Sequence, residues 1–223
     1  MVYLNKIVKS VLTPFVSRYQ KWRHRNPVQY TYKNVGVNVL PGVFSPVMNS
    51  STSLFLEFIQ GLEIKHKTVL ELGCGSGVIS AYCAANGAMV TASDINDVAL
   101  SELSVQARDN NWDIISVYSD LFDNLQFHFD YILINPPILP ENPMNIEEKG
   151  SMAGVNFKFY ESLFNQLKIR TLRDTQVFLF LPEEAELFSI CRRAKQNHLS
   201  LKTIKVIHMG LDNGTVYRVV ESV

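Results

Sequence analysis

Thr68-Val69-Leu70-Glu71-Leu72-Gly73-Cys74-Gly75-Ser76-Gly77 joins a short apolar run to a turn with glycine at every second position. A run of Val and Leu this short predicts a strand buried on both faces, as in a parallel sheet. The glycines let the backbone come close to a ligand, and the helix predicted next, over residues 77–86, turns its first N–H groups toward the same space. What flanks this stretch decides the architecture.

Downstream, the pattern predicts further strands over residues 88–93, 114–118, 131–134, 176–181, 201–208 and 216–220. Between them it predicts helices over residues 97–110, 157–172 and 184–197. Such alternation yields an α/β fold, a mostly parallel sheet with helices on both faces, because right-handed crossovers must cover it. No helix separates the last two strands. Asp212-Asn213-Gly214 supplies a turn between them, so the last of seven strands is expected to run antiparallel to the others.

Upstream, residues 29–44 alternate about Asn34 and Gly36, which predicts a hairpin of residues 30–33 with 37–40. Asn49, Ser50, Ser51 and Thr52 are candidate caps for a helix carrying Leu54, Phe55, Phe58 and Ile59. Leu4, Ile7, Val8, Val11 and Leu12 recur at helical spacing, Thr13-Pro14 interrupts, and Phe15, Val16, Tyr19 and Trp22 continue the stripe. Residues 3–25 are therefore expected to form two short amphipathic helices or one kinked helix. The chain divides into an N-terminal helical and hairpin extension, residues 1–48, and a main domain, residues 49–223.

The formal net charge is zero, but it is unevenly placed. Lys6, Lys9, Arg18, Lys21, Arg23, Arg25 and Lys33 all precede Glu57, the first acidic residue, so the first 56 residues carry +7 and the remainder −7. The basic segment fits a nucleic-acid contact and equally fits a solvated helix face that pairs with the acidic body. Cys74, Cys83 and Cys191 form neither a CxxC pair nor an even set, which argues against a disulfide framework and a zinc site. A cytoplasmic protein is expected. Lys6 and Lys9 interrupt the apolar N-terminus, so no stretch is long enough for a membrane span.

The spacing of the glycine turn limits its ligand. Dinucleotide folds use G-x-G-x-x-G, but position 78 is Val78, and no lysine completes a P-loop. Glu71, just before the glycines, is poorly placed beside a pyrophosphate and well placed for a cationic or hydroxyl-rich ligand. S-adenosylmethionine fits, since it has no phosphate and carries an ammonium and a sulfonium. Asp94 ends the next strand, where a carboxylate can accept from both ribose hydroxyls. Asp120 follows the third strand and can accept from an adenine amino group while Leu121 packs against the ring.

Asn135-Pro136-Pro137 closes the apolar run of residues 131–134. An asparagine side-chain oxygen and the carbonyl of Pro136 can together hold the N–H groups of a planar nitrogen while its lone pair turns toward an electrophile. The prolines suit this task because they fix φ and bring no competing N–H. No metal is required, and the five histidines adjoin no nucleophile.

Val69 to Gly77, Ser93-Asp94-Ile95-Asn96, Ser119-Asp120-Leu121-Phe122 and Ile134-Asn135-Pro136-Pro137 resemble successive motifs of Rossmann-like class I S-adenosylmethionine-dependent methyltransferases. The likeness is narrower to the small-domain group, which includes HemK-like glutamine N-methyltransferases and RNA base N-methyltransferases. Pro41-Gly42-Val43-Phe44-Ser45-Pro46 with Ser51-Thr52 is similar to the segment preceding the first motif of that group. The resemblance spans residues 28–182. It implies a donor site of Thr52, Glu71, Gly73, Cys74, Gly75, Asp94, Ile95, Asp120, Leu121 and Asn135, with Asn135, Pro136 and Pro137 as the catalytic turn.

An aromatic residue usually follows the second proline in that group and stacks on the target. Here the position is Ile138, so Phe44, Phe122 or Tyr160 is expected to supply the ring, or the acceptor is small. Phe44 and Ile138 are the substrate-side candidates, and residues 145–152 form a stretch able to close over them. Glu147, Glu148 and Lys149 within it are expected to be solvated charges. The favoured acceptor is macromolecular: RNA from the basic N-terminus, a protein glutamine from the HemK-like likeness. The alternatives are a small-molecule methyltransferase and an inert donor-binding partner subunit.

Overall fold

The computed structural model describes residues 26–48, 50–125, 128–168 and 174–222. Its strands are β1 (Val28–Tyr32), β2 (Val35–Val39), β3 (Thr68–Leu72), β4 (Met89–Asp94), β5 (Ile114–Tyr118), β6 (Tyr131–Ile134), β7 (Gln176–Pro182), β8 (Leu199–Met209) and β9 (Asp212–Glu221). Its α-helices are α1 (Ser51–Ile59), α2 (Val78–Ala85), α3 (Asp97–Asp109), the single turn α4 (Ile146–Lys149), α5 (Lys158–Lys168) and α6 (Leu187–Gln196). The helices expected over residues 3–25 lie outside the described residues, as does the far end of the helix expected to reach residue 172.

Seven strands form one sheet in the order β5-β4-β3-β6-β7-β9-β8, and β1 and β2 form a separate antiparallel pair. The pairs among β5, β4, β3, β6 and β7 are parallel, and β9 runs antiparallel to both β7 and β8. This is the expected mostly parallel Rossmann-like sheet.

Side-chain alternation divides the core between its two faces. Val69, Leu133, Phe178 and Phe180 face α1, α2 and the hairpin, where Phe55, Ile59, Ala81 and Val37 are buried. Leu70, Ile132, Ile134 and Leu179 face α5 and α6, packing on Tyr160, Leu163, Phe164 and Ile190. Both faces being covered explains why β6 is Tyr-Ile-Leu-Ile and why the polar residues of β3 are confined to Thr68 at its start and Glu71 next to its end.

Two turns differ from expectation. The first hairpin turns at Lys33-Asn34, with Lys33 at φ 52° and Tyr32 paired with Val35, so Gly36 lies inside β2. The last hairpin turns at Gly210-Leu211, with Gly210 at φ 65° and Met209 paired with Asp212. Asp212-Asn213-Gly214 is strand rather than turn. Gly214 is needed for contact: a Cβ there would lie 2.2 Å from Cζ of Phe180.

From β3 the chain winds outward through β4 to β5, then returns to β6 on the other side of β3. The loops after β3 and β6 thus diverge from neighbouring strand ends, with Leu72 opposite Ile134. That reversal opens a crevice at the carboxyl edge of the sheet. Among the described residues, no helix is long and apolar enough to cross a membrane.

Candidate active site

A cavity of about 450 Å³ fills this crevice, walled by the loops after β3, β4, β5 and β6, by Phe44 and Thr52, and by the segment around α4. The glycine turn forms one wall. Gly73 N–H and Cys74 N–H donate to the Ser93 carbonyl at 2.8 and 2.9 Å, and Gly75 N–H donates to Asp94 Oδ2 at 2.8 Å. Gly73, Gly75 and Gly77 all have positive φ, of 75°, 48° and 72°. Gly77 serves packing as well, since a Cβ there would come within 2.6 Å of Leu103 on α3.

Glu71 is 4% exposed, and its Oε2 accepts from Ser80 N–H at 2.8 Å and from the Ser80 hydroxyl. Burial pushes its carboxyl up from 4.5 to about 8, against the opposing pull of the Ser80 bonds, and the nearby Asp94 adds to the rise. Asp94 accepts from Asn96 N–H at 2.9 Å through its other oxygen, Oδ1. Burial raises its carboxyl as well, with the backbone N–H groups holding it back. Burial keeps the Cys74 thiol far above its ordinary value, so it is a neutral wall group. Ile95 and the exposed Asp120 also line the cavity, and Leu121 beside them is half-buried at φ 50°. The wall is thus rich in acceptors and holds a desolvated acid, an environment that favours a cation.

The turn after β6 forms the opposite wall. Asn135 Nδ2 donates to the Ser51 hydroxyl at 3.2 Å and the Thr52 hydroxyl at 3.4 Å, both in the first turn of α1. With the nitrogen so held, Oδ1 has no donor among the described residues. Behind the turn, the fully buried Tyr160 donates its hydroxyl to the Pro137 carbonyl at 3.0 Å, anchoring the second proline to α5. The structure therefore brings together Glu71, Gly73, Cys74, Gly75, Asp94, Ile95, Asp120, Leu121, Asn135, Pro136, Pro137, Thr52 and Phe44 in one cavity wall.

Of the three aromatic candidates, Phe44 alone lines the cavity; Phe122 and Tyr160 are core residues. Ile138 also lies outside the cavity wall and packs against the cluster around Tyr160. A second ring, Phe159 at the start of α5, lines the cavity together with Lys158 and Ser162. These positions escaped the sequence reading because Phe159 and Tyr160 are adjacent, and only helix phase decides which of the two faces the core. The hydrophobic stripe Tyr160, Leu163, Phe164, Leu167 carries that signal.

The stretch expected to be able to close over the substrate lies along the cavity and is internally hydrogen-bonded. Ile138 N–H and Leu139 N–H donate to the Ser151 carbonyl at 3.1 and 2.9 Å, and Ala153 N–H donates to Leu139 at 2.7 Å. Asn145 caps α4 through Glu148 N–H at 2.9 Å, and Glu148 in turn accepts from Met144 N–H at 2.8 Å. Glu148 is therefore a capping group, while Glu147 and Lys149 line the cavity. Phe44 touches both loops: a Cβ on Gly75 would lie 3.5 Å from it, and one on Gly150 would lie 2.9 Å away. Among the described residues, no cluster of three or more potential metal ligands exists.

The chain is similar to known proteins in sequence and in fold. The chain is 36% identical over 128 residues to a candidate protein N5-glutamine methyltransferase of Methanocaldococcus jannaschii, covering 57% of this chain and 61% of that one. It is 31% identical over 147 residues to the ribosomal RNA small subunit methyltransferase C of Buchnera aphidicola, covering 64% of this chain and 44% of the relative. The chain thus spans less than two thirds of either relative. The fold matches that of a methyltransferase from Pyrococcus furiosus, with TM-score 0.63, 16% identity and 93% and 97% coverage of this chain and that one. It also matches the T. thermophilus 16S ribosomal RNA N2-guanine methyltransferase, solved with S-adenosylmethionine and guanosine, with TM-score 0.64, 19% identity and 89% and 50% coverage. The family model described as methyltransferase small domain matches residues 34–149, more than half of the chain, and the chain belongs to that family.

Proposed function

We propose that this chain is an S-adenosylmethionine-dependent N-methyltransferase whose acceptor is a planar nitrogen of a macromolecule, a protein glutamine amide or an RNA base amine. One observation carries the reading: Asn135 is held by its nitrogen against Ser51 and Thr52, so its oxygen remains for an acceptor N–H, in a turn beside the glycine loop. The relatives' substrates, a protein glutamine and ribosomal RNA, are both planar nitrogen sources and support the same chemistry.

The residues present fit the donor. Glu71 is a buried carboxylate with raised proton affinity, and it becomes favourable when ionised beside an ammonium. Asp94 would take ribose hydroxyls with the lone pairs that Gly75 and Asn96 leave, and Asp120 with Leu121 would hold the adenine. When bound, the donor supplies a methyl carbon on a positively charged sulfur. Asn135 Oδ1 and the Pro136 carbonyl would hold the acceptor N–H groups so that the nitrogen lone pair points at that carbon. As that nitrogen displaced the sulfonium as a neutral thioether, the surplus N–H proton would be held at the Asn135 oxygen or the Pro136 carbonyl and would pass from there to solvent. Most of the acceleration comes from this alignment. Phe44 and Phe159 offer rings against the planar group.

The basic N-terminal segment would add affinity for an anionic substrate, and the protein would work in the cytoplasm. Transfer of a radiolabelled methyl group to protein, RNA and metabolite fractions of the native cell tests the reading. Label is expected in a macromolecular fraction, and Asn135→Ala should cut transfer about 100-fold while donor binding persists. An Asn135→Ala chain that transfers methyl at the parental rate would rule the mechanism out.

A further inference from the structure

A second cavity of about 400 Å³ adjoins the first, between α6 and the segments around Pro140 and residues 155–157. The two share a wall. Gly154 and Lys158 line the first cavity, while Val155, Asn156 and Phe157 between them line the second. This ridge is strained: Asn156 and Phe157 hold φ of 57° and 58°, and Phe157 pays the larger cost because it is bulky. Arg193 holds it in place, donating to the Asn156 carbonyl at 2.9 Å and pairing with Glu161 at 3.3 Å. A costly backbone held by a buttress between two cavities is expected where two neighbouring parts of one ligand are to be separated.

The far side of this cavity has a distinct chemistry. Phe188 lines it and is 83% exposed, so its ring presents an open face to whatever enters the cavity. Arg192 is exposed beside it and makes no ion pair among the described residues, unlike Arg193. Glu186 and Ser189, joined at 3.3 Å, offer an acceptor and a donor at the rim. An open aromatic face, a nearby guanidinium and a few rim polar groups are what an unstacked nucleotide needs. An extended peptide is served less well, since neither edge strand, β5 or β8, contributes a residue to the cavity through which its backbone could be paired.

Building on the methyltransferase reading, we propose that the second cavity binds the nucleotide flanking the methylated base in a single-stranded RNA, stacking its base on Phe188 and its phosphate on Arg192. The ridge at Asn156 and Phe157 parts the two nucleotides, and Lys158 and Lys149 at the first cavity offer further charge to the backbone between them.

The test uses the full chain and a fluorescein-labelled single-stranded RNA of about ten nucleotides and mixed sequence, followed by anisotropy at roughly 50 mM salt. Phe188→Ala, at an exposed position, should weaken binding about tenfold, and Phe188→Trp should restore it. Arg192→Gln should weaken binding and lower the salt slope by about one. Binding by Phe188→Ala equal to that of the parent overturns the proposal. So does equal binding of the matching duplex, or binding of a glutamine-containing peptide in place of RNA. Parallel calorimetry with S-adenosylmethionine separates the two readings: no donor binding by the parent removes the methyltransferase reading, whereas normal donor binding with RNA binding indifferent to Phe188 removes only the subsite.

Discussion

Glu71 lies in β3 and Asp130 immediately precedes β6, the strand beside it, and the protein treats their carboxyl groups in opposite ways. At the amino edge, Asp130 accepts from Thr68 N–H at 2.9 Å, from the Thr68 hydroxyl at 3.0 Å and from Lys67 at 3.0 Å, tying the start of β3 to the start of β6. The Thr68 N–H, followed by Lys67, holds it below the usual carboxylate range. At the carboxyl edge, Glu71 is buried with Ser80 as its one side-chain partner among the described residues, and burial lifts it to about 8. One acid is tied into the fold at the edge away from the cavity; the other is held desolvated in the cavity wall. A parallel sheet separates these tasks because its strands all end on the same side, which concentrates the functional loops there.

The sharpest way to break this contrast is Glu71→Gln. It should weaken donor binding about 10- to 100-fold by calorimetry, the worth of a charge-assisted hydrogen bond. It should also raise the thermal midpoint of the donor-free protein at pH 8, because a buried charge has been removed. Next, Tyr160→Phe frees the Pro137 carbonyl and loosens the turn proposed to hold the acceptor, so turnover should fall roughly tenfold with donor affinity unchanged by calorimetry. Asp130→Ala should do the reverse of Glu71→Gln: the thermal midpoint drops by roughly 2–4 °C and donor affinity stays at the parental value.

The smallest expected effect is on pH dependence. For Glu71 the folded value lies above the ordinary 4.5, so its contribution to stability is complete below about 4.5 and is lost as pH rises through about 8. Melting curves of the donor-free protein should decline across that window, and Glu71→Gln should flatten the decline. A cationic donor binds the ionised acid, so its affinity should rise with pH over the same range, and calorimetry in buffers of different ionisation enthalpy should detect proton release. Asp130 has the opposite sign: its contribution is present above its ordinary value and disappears as pH falls through its lowered one. An acid-side loss in the parent that is absent from Asp130→Ala would sharpen the comparison; a flat acid limb would break it.

The central strands were legible because burial on both faces removes ambiguity: the bounds of β3 and β6 match expectation residue for residue, at 68–72 and 131–134. The edge strand β5 also matches, at 114–118, on its run of β-branched residues alone. The turns were less legible. Asp212-Asn213-Gly214 has ideal hairpin chemistry, yet the close approach of Phe180 claims Gly214 for a strand, and a contact 34 residues away leaves no local signal. At the site, residues in the strand-end loops could be placed from their motifs, since each motif lies in register with a strand. Phe159 and Lys158 could not, because they reach the cavity from a helix whose phase is set by packing on β6 and β7. The role of Tyr160 was hidden for the same reason: its hydroxyl meets Pro137 only once α5 has docked.

Phe44 lies between Gly75 on the donor loop and Gly150 beside α4. Two stretches of chain 75 residues apart therefore share one neighbour, but it constrains them differently. Gly75 has room for a Cβ at ordinary contact distance and is held instead by its positive φ of 48°. At Gly150 a Cβ would meet the Cβ of Phe44, which every residue but glycine keeps, so position 150 is expected to stay glycine whatever the size of the side chain at position 44.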